Sequence, residues 1–433
     1  MQHIQGISRH QLQMSSLEDK ITADNPVRFI DAFVNHIDPV KIGFQPKILK
    51  TEGRPNFRLE VFLKLYLYGY LNGVRSSRRL EKECFRNIEV QWLLEAIYPN
   101  YHSIADFRKD NPKALKQLFK LFVSFLKDAE LIAGDTIAID GTKSRAHNSK
   151  KANYNQKKID KHKAYIDAKS QEYLDQLEQN DIQENPVAIK NIQQKIERLK
   201  QNKIKYELLE EELKNSGEPQ ISTTDADARA LLVQGQVVEV SYNIQAAVDS
   251  KHNLVVATHT INRNDKNALA AIALEVKENL ALETFTVLVD KGYHNGRELH
   301  TCQQNNITTI VAVPEQGKSN ENGTQPEYLV SKFIYNKENN SYTCPEGKTL
   351  TTTGRWHKKT GRTEESGYMF QKYRTPACKT CLVKDLCTSR NGGREIDRSQ
   401  YADAVEENHQ RYKDNPQLYR KRQEINEHIF GTI

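Results

Sequence analysis

The stretches TIAID at 136–140 and FTVLVD at 285–290 decide the reading of this chain. Each is a short apolar run, rich in β-branched residues, that stops on an aspartate, as a buried strand does where it meets a loop. Three more such runs surround them: VEVSYNIQAAVD at 238–249, LVVATHTI at 254–261 and ITTIVAVPE at 307–315. Between 254–261 and 285–290 the period changes. Leu269, Ile272, Val276 and Leu280 recur on one side of a helix predicted over 265–280, with Asn264 as its cap. The order is strand, long gap, two strands spaced for a hairpin, helix, strand, short helix, strand. That is the α/β pattern, a mixed sheet with helices against it.

Two stretches interrupt the sheet. Residues 150–217 are strongly charged, and Ile192, Ile196, Leu199, Tyr206 and Leu209 or Leu213 follow near-heptad spacing. With Asn185 as cap and Pro186 as first helical residue, this predicts two antiparallel helices in a coiled hairpin. Residues 316–415 form a second insertion, rich in Gly, Asn, Thr and Lys, after which a helix begins near Asn415. Before the sheet, residues 1–130 read as helical. Phe62, Leu63, Tyr66, Leu67, Tyr70 and Leu71 recur at helical steps and require one buried face. Two further helices are predicted, over 76–86 with Arg78 and Arg79 just after Arg75, and over 111–127. The domain expectation is therefore 1–130 and 131–433.

A chain of 433 residues has room for about two to four domains and for a full core, which excludes fibrous and wholly disordered classes. No apolar run approaches the ~18 residues of a membrane span, and the start MQHIQGISRHQLQ has no secretory leader pattern, so a cytosolic protein is expected. The net charge of +7, from 63 Lys and Arg against 56 Asp and Glu, identifies no partner by itself. Its placement is informative. Residues 141–163 hold eight Lys or Arg against one acid, Asp160, and residues 1–134 hold 20 against 15.

Two carboxylates at the ends of neighbouring strands repel, and a shared divalent cation relieves that while binding phosphate oxygens. Asp140 and Asp290 fit this, although for either residue taken alone an Asp that merely begins a loop is the commoner use. Beside Asp140 runs the basic track with Lys143, Arg145, Lys150 and Lys151, suited to a DNA backbone. After Asp290 comes Lys291-Gly-Tyr-His-Asn-Gly. The terminal helix offers a third acid, Glu424 or Glu427, beside Arg420, Lys421 and Arg422. Arg75, Arg78 and Arg79 make a basic stripe on the helical part.

Four of the six cysteines, Cys344, Cys378, Cys381 and Cys387, have the CxxC-based spacing of a closed structural Zn²⁺ site. Cys84 and Cys302 sit in apolar helical settings and are expected in the core. His147, His294 and His428 flank the acids. Because hard Mg²⁺ favours oxygen, they are expected to contact DNA or support the ligands. Trp356, His357, Lys358, Lys359 and Arg362 mix an aromatic with cations, as either a DNA-contacting or an ordinary surface loop does.

Taken together these residues resemble the DDE-type transposases of bacterial insertion sequences. Asp140 followed by Gly141 and Thr142 is similar to that family's first catalytic aspartate, and Asp290-Lys-Gly-Tyr293 to its second. Arg422, Glu427, His428, Phe430 and Gly431 match its final helix. Residues 98–108 (YPNYHSIADFR) look like the end of its N-terminal helical domain, and Tyr242-Asn243 with 245–249 (QAAVD) like its second strand. The resemblance covers nearly the whole chain. It implies an RNase H-like core, a metal-binding triad of Asp140, Asp290 and Glu427, and two Mg²⁺ or Mn²⁺ ions. Its substrates would be double-stranded DNA, as terminal inverted repeats and as target, cut and joined by at least a homodimer with no membrane involved. The setting implied is bacterial cytoplasm, with nucleoid association on DNA. In that family the final helix continues further, so a shortened one, with activity in doubt, is expected here. The alternatives are an RNase H-like nuclease without strand transfer and an inactive DNA-binding remnant.

Overall fold

Asn25-Pro26 starts the first described helix, α1 (Pro26–His36), because the Asn25 side chain accepts a hydrogen bond from the Val27 N–H at 3.0 Å. α2 (Leu59–Leu71), α3 (Ser77–Arg86), α4 (Ile88–Leu93), α5 (Tyr101–Asp110) and α6 (Pro112–Asp128) follow. Asn87 and Asn100 cap α4 and α5 in the same way as Asn25. Only one buried face was expected of α2. It is covered almost all round from Val61 to Gly69, since α1 and α4 pack on it, and its Lys64 is paired with Asp31 at 2.6 Å. Phe62 stacks on Phe107 at 4.9 Å in the same core.

This computed structural model describes residues 8, 10–12, 14–45, 56–182, 186–233, 237–314, 324–361 and 367–432. The chain divides into two compact units, 1–125 and 126–433.

The second unit is built on β1 (Thr136–Arg145), β4 (Arg229–Val233), β5 (Val237–Asp249), β6 (Val255–Ile261), β7 (Phe285–Val289) and β8 (Ile307–Val311). The sheet order is β4-β5-β1-β7-β8, with β6 also on β5. β1, β7 and β8 run parallel, whereas β5 is antiparallel to β1 and to β6. Between β1 and β4 lie β2 (Asn153–Tyr154), α7 (Gln156–Ile182), α8 (Pro186–Ser216) and β3 (Ile221–Ser222). The two long helices form the expected hairpin, pinned at its base by Tyr154, Ile159, Leu209, Leu213 and Ile221 and laced by Lys163–Glu210 at 3.0 Å and Lys203–Asp167 at 2.7 Å. The expected cap Asn185 lies outside the described residues. The helix expected over 265–280 is split. A 3-10 turn at Asp265–Asn267 precedes α9 (Leu269–Asn279), and Asn264 makes no side-chain cap bond, because Asp265 is drawn to neighbouring strands as described below.

α10 (Gly296–Gln304) links β7 to β8. The second insertion is a sheet of β9 (Ile334–Asn336), β10 (Ser341–Thr343), β11 (Thr349–Lys359), β12 (Tyr368–Arg374) and β13 (Glu395–Ser399), with the short α11 (Lys384–Cys387). Trp356 to Lys359, read as a loop, are therefore strand β11, paired with Tyr368 to Gln371 of β12. Arg362 lies outside the described residues. α12 (Ala402–Asp414) and α13 (Pro416–Thr432) close the chain.

Alternation along the strands assigns the two faces of the main sheet. Ala138, Ala246, Val248, Leu288 and Ile310 pack against Ile425, Leu418, Tyr419 and Ile429 of α13. Ile137, Ile139, Val287 and Val289, fully buried, point the other way, where α9 contacts β5 and β6 and α10 contacts β8. No described helix is long and apolar enough to cross a membrane.

Candidate active site

Parallel register puts Ala138 beside Leu288, so Asp140 and Asp290, each two residues on, stand at one level and on the α13 face. The strand expected to end at Asp140 does not end there. β1 continues to Arg145 because β5, 13 residues long, keeps pairing with it, Asp140 opposite Ala246 and Arg145 opposite Ser241. β7 does stop at Val289. Asp290 caps the 3-10 turn Lys291–Tyr293 by accepting from the Gly292 N–H at 2.7 Å, and Asp140 accepts from the Gly141 N–H at 2.8 Å.

One cation already lies on Asp140. Arg422 of α13 donates to Asp140 Oδ2 at 3.2 Å, with its side chain only 14% exposed and its Nε buried without a partner. Burial pushes the Asp140 carboxyl above its usual range. The Gly141 N–H and Arg422 oppose this, and the nearby Asp290 and Asp265 add to it. A carboxylate held this way gains from any further positive charge.

On the opposite face sits a second polar group that the sequence did not announce. Asp265 accepts from Asn243 Nδ2 at 2.7 Å, Gln245 Nε2 at 2.9 Å and Lys143 Nζ at 3.2 Å. Asn243 and Gln245 are fully buried, and the buried Tyr293 hydroxyl donates to Gln245 Oε1. Gly141 makes room for this cluster. A Cβ there would lie 2.7 Å from Asn243 Oδ1 and 2.8 Å from Asp265 Oδ1. The spacing of Gly141, Lys143, Asn243 and Gln245 at alternate positions was the available signal, but Asp265 comes from another element.

The other acids and bases divide. Glu427 and Glu424 are exposed, while α13 turns Arg422, Ile425 and Asn426 inward, and both amide atoms of Asn426 are buried without partners. The described contact of α13 with Asp140 is thus made by Arg422, five residues before Glu427. Among the described residues no three His, Cys, Asp or Glu side chains form a ready metal-binding group. Lys143 faces Asp265, and Arg145 is paired with Glu239 at 2.5 Å. Lys150, Lys151 and Lys291 are exposed, as are Arg75, Arg78 and Arg79 in the first unit, where Arg78 lies over Tyr101 at 4.2 Å. His147 is exposed, and His294 is half-buried with an unpartnered Nε2.

Cys344, Cys378, Cys381 and Cys387 come together, lining one cavity of about 30 Å³ with Phe333 and Arg394. Burial pushes the Cys387 thiol up. Arg394 opposes this, and the other three thiols reinforce it. Gly393, at φ +90°, packs against Cys378 where no side chain fits. Cys84 and Cys302 are core residues as expected, each 1% exposed, their thiols pushed up to about 12 by burial.

A transposase-domain family model matches residues 15–110, and a transposase DDE-domain model matches residues 343–433. The second match holds the four cysteines, α12 and α13, whereas Asp140 and Asp290 lie outside both. No curated protein and no solved structure matches the chain significantly.

Proposed function

From a chain that belongs to the DDE-type transposases of insertion elements, as its two transposase-domain matches show, we propose a DNA transposase that cuts the ends of its element and joins them to target DNA at Asp140 and Asp290. The observation that carries this is the pair itself: two aspartates level at parallel neighbouring strands, both half-buried and one already drawing Arg422. An RNase H-like core is our reading of the sheet. What supports it is the order β6-β5-β1-β7-β8, with three parallel strands and an antiparallel hairpin.

The residues fit a pair of hard divalent cations, Mg²⁺ or Mn²⁺. The carboxylates supply oxygen ligands, and the unpartnered Arg422 Nε and Asn426 amide mark polar space under α13 that protein atoms leave unsatisfied. When bound, such ions activate the attacking oxygen and stabilise the leaving one. Asp140 and Asp290 would hold them, with Glu427 as third acid, which requires the last turns of α13 to rotate it inward. Arg422, displaced from Asp140 by the incoming charge, would turn to a DNA phosphate, with Lys150, Lys151 and Lys291 holding the backbone beside it. Arg75, Arg78 and Arg79 would serve end recognition. The α7–α8 hairpin would hold DNA or pair two subunits, since two ends must meet. The four thiols, which line one cavity, would hold a structural Zn²⁺. A cytoplasmic, nucleoid-associated protein follows from this task.

One observation favours a second reading, a DNA-binding protein that no longer cuts: Glu427 is exposed and Asn426 takes the inward position. Incubation of the purified protein with labelled element ends and Mg²⁺ decides. Cleavage and joined products that vanish in Asp140→Asn, with end binding kept, support the transposase. Cutting by Asp140→Asn sinks the site assignment, and binding without cutting by the wild type selects the second reading.

A further inference from the structure

The polar cluster behind the aspartates touches both aspartate-bearing segments. Gln245 is at its centre. On β5 it stands opposite Gly141, the residue after Asp140. Its amide nitrogen donates to Asp265 at 2.9 Å, and its amide oxygen accepts from the Tyr293 hydroxyl, three residues after Asp290. The turn Asp290–Tyr293 thus wraps the end of β7, leaving Asp290 on the α13 face and inserting Tyr293 beneath the sheet.

Asp265 does not act as a further cation ligand here. Its carboxylate receives Lys143, Asn243 and Gln245, so its charge is compensated and its lone pairs are engaged. Such a group fixes geometry instead. Gln245 has both amide ends committed, so its plane cannot turn without breaking one bond, and an unpaired buried polar atom costs about 1–3 kcal/mol.

We propose that Tyr293, Gln245 and Asp265 are positioning residues that set the separation of Asp140 and Asp290, and through it the affinity of that pair for a divalent cation. The inference rests on the reading of the two aspartates as cation ligands. Outer partners of metal ligands change affinity by roughly 10–100-fold when removed. Tyr293→Phe is the sharpest probe, because it removes one hydroxyl and keeps the buried ring.

The test is Mn²⁺ binding to the full chain by calorimetry, with thermal melting in chelator measured alongside. Wild type, Tyr293→Phe, Asp265→Asn and Asp140→Asn are compared with Val276→Ala, a core truncation in α9. Tyr293→Phe and Asp265→Asn are expected to weaken Mn²⁺ by about 10-fold or more. Val276→Ala is expected to lower the melting temperature without moving the Mn²⁺ affinity. Wild-type affinity in Tyr293→Phe, or equal loss in Val276→Ala, overturns the positioning role. Unchanged binding in Asp140→Asn, or none in the wild type, overturns instead the reading of the aspartates on which it depends.

Discussion

The aspartate pair and the cysteine cluster belong to one unit of the chain and are both candidate metal centres, but the fold supports them in opposite ways. Around Asp140 and Asp290 the sheet is buried on both faces, and Arg422, Lys143, Asn243, Gln245 and Tyr293 already supply charge and hydrogen bonds. Among the described residues, the core cluster of the cysteine sheet is Phe333, Tyr342, Leu350, Tyr373 and Ile396, with Cys344 and Cys387 packed on its edge. The first site already carries charge and hydrogen bonds from the protein, and an ion proposed there would serve chemistry. The other gathers thiols where hydrophobic burial is thin, which is where an ion serves as a staple.

The largest effect separates the two at once. Cys381→Ser, or strong chelation, is expected to open the sheet spanning β9 to β13, since a structural Zn²⁺ site contributes about 10–16 kcal/mol of apparent binding free energy. Metal analysis should find one zinc per chain in the wild type, and limited proteolysis should cut within 334–399 only after zinc is lost. Protection that survives complete removal of zinc would erase the contrast.

Next, Asp140→Asn should leave the melting temperature within a few degrees of wild type while end cleavage falls by at least about 10³-fold, equivalent to roughly 4 kcal/mol of lost stabilisation at phosphorus. A collapse of stability in this variant would place the aspartates with the cysteines as structural. A smaller effect is expected of Gly141→Ala, about 1–3 kcal/mol of stability by denaturant melt, because the new methyl meets the Asn243 and Asp265 oxygens. A neutral result would show that the cluster yields easily.

The smallest concerns pH. Burial holds His294 below its ordinary range, with His409 adding to this and a backbone hydrogen bond opposing it. Its folded pKa is depressed, so its contribution to stability is present above the unfolded value near 6.5 and is lost as pH falls through the lower folded one. Melting temperature should therefore decline on acidification below about 6.5, and less steeply in His294→Gln. Parallel declines in both proteins would assign the effect to other groups.

Most of the sheet was legible because strand period, helix period and turn residues are local properties. β5, β6, β7, β8 and the α7–α8 hairpin lie within a few residues of where the sequence puts them. The misplacements share one cause. β1 runs past Asp140 because β5 is there to pair with it, and 356–359 is strand because β12 is. α2 is covered on nearly every side because helices from elsewhere in the chain enclose it. Neighbours distant in sequence decide where an element ends and which faces it buries.

The same division runs through the site. By itself the sequence determined that Asp140 and Asp290 close a β-branched run or follow one, that a basic helix comes last, and that four cysteines have ligand spacing. Those facts are carried by residue type and short spacing. Only the tertiary structure decided that the parallel register sets the two aspartates level, that Arg422 rather than Glu427 meets Asp140, and that Asp265 is tied to Gln245 and Tyr293 across three elements. Alternation along a strand puts Asp140 and Gly141 on opposite faces, but what each face meets depends on how the sheet, α13 and the turn after β7 are assembled.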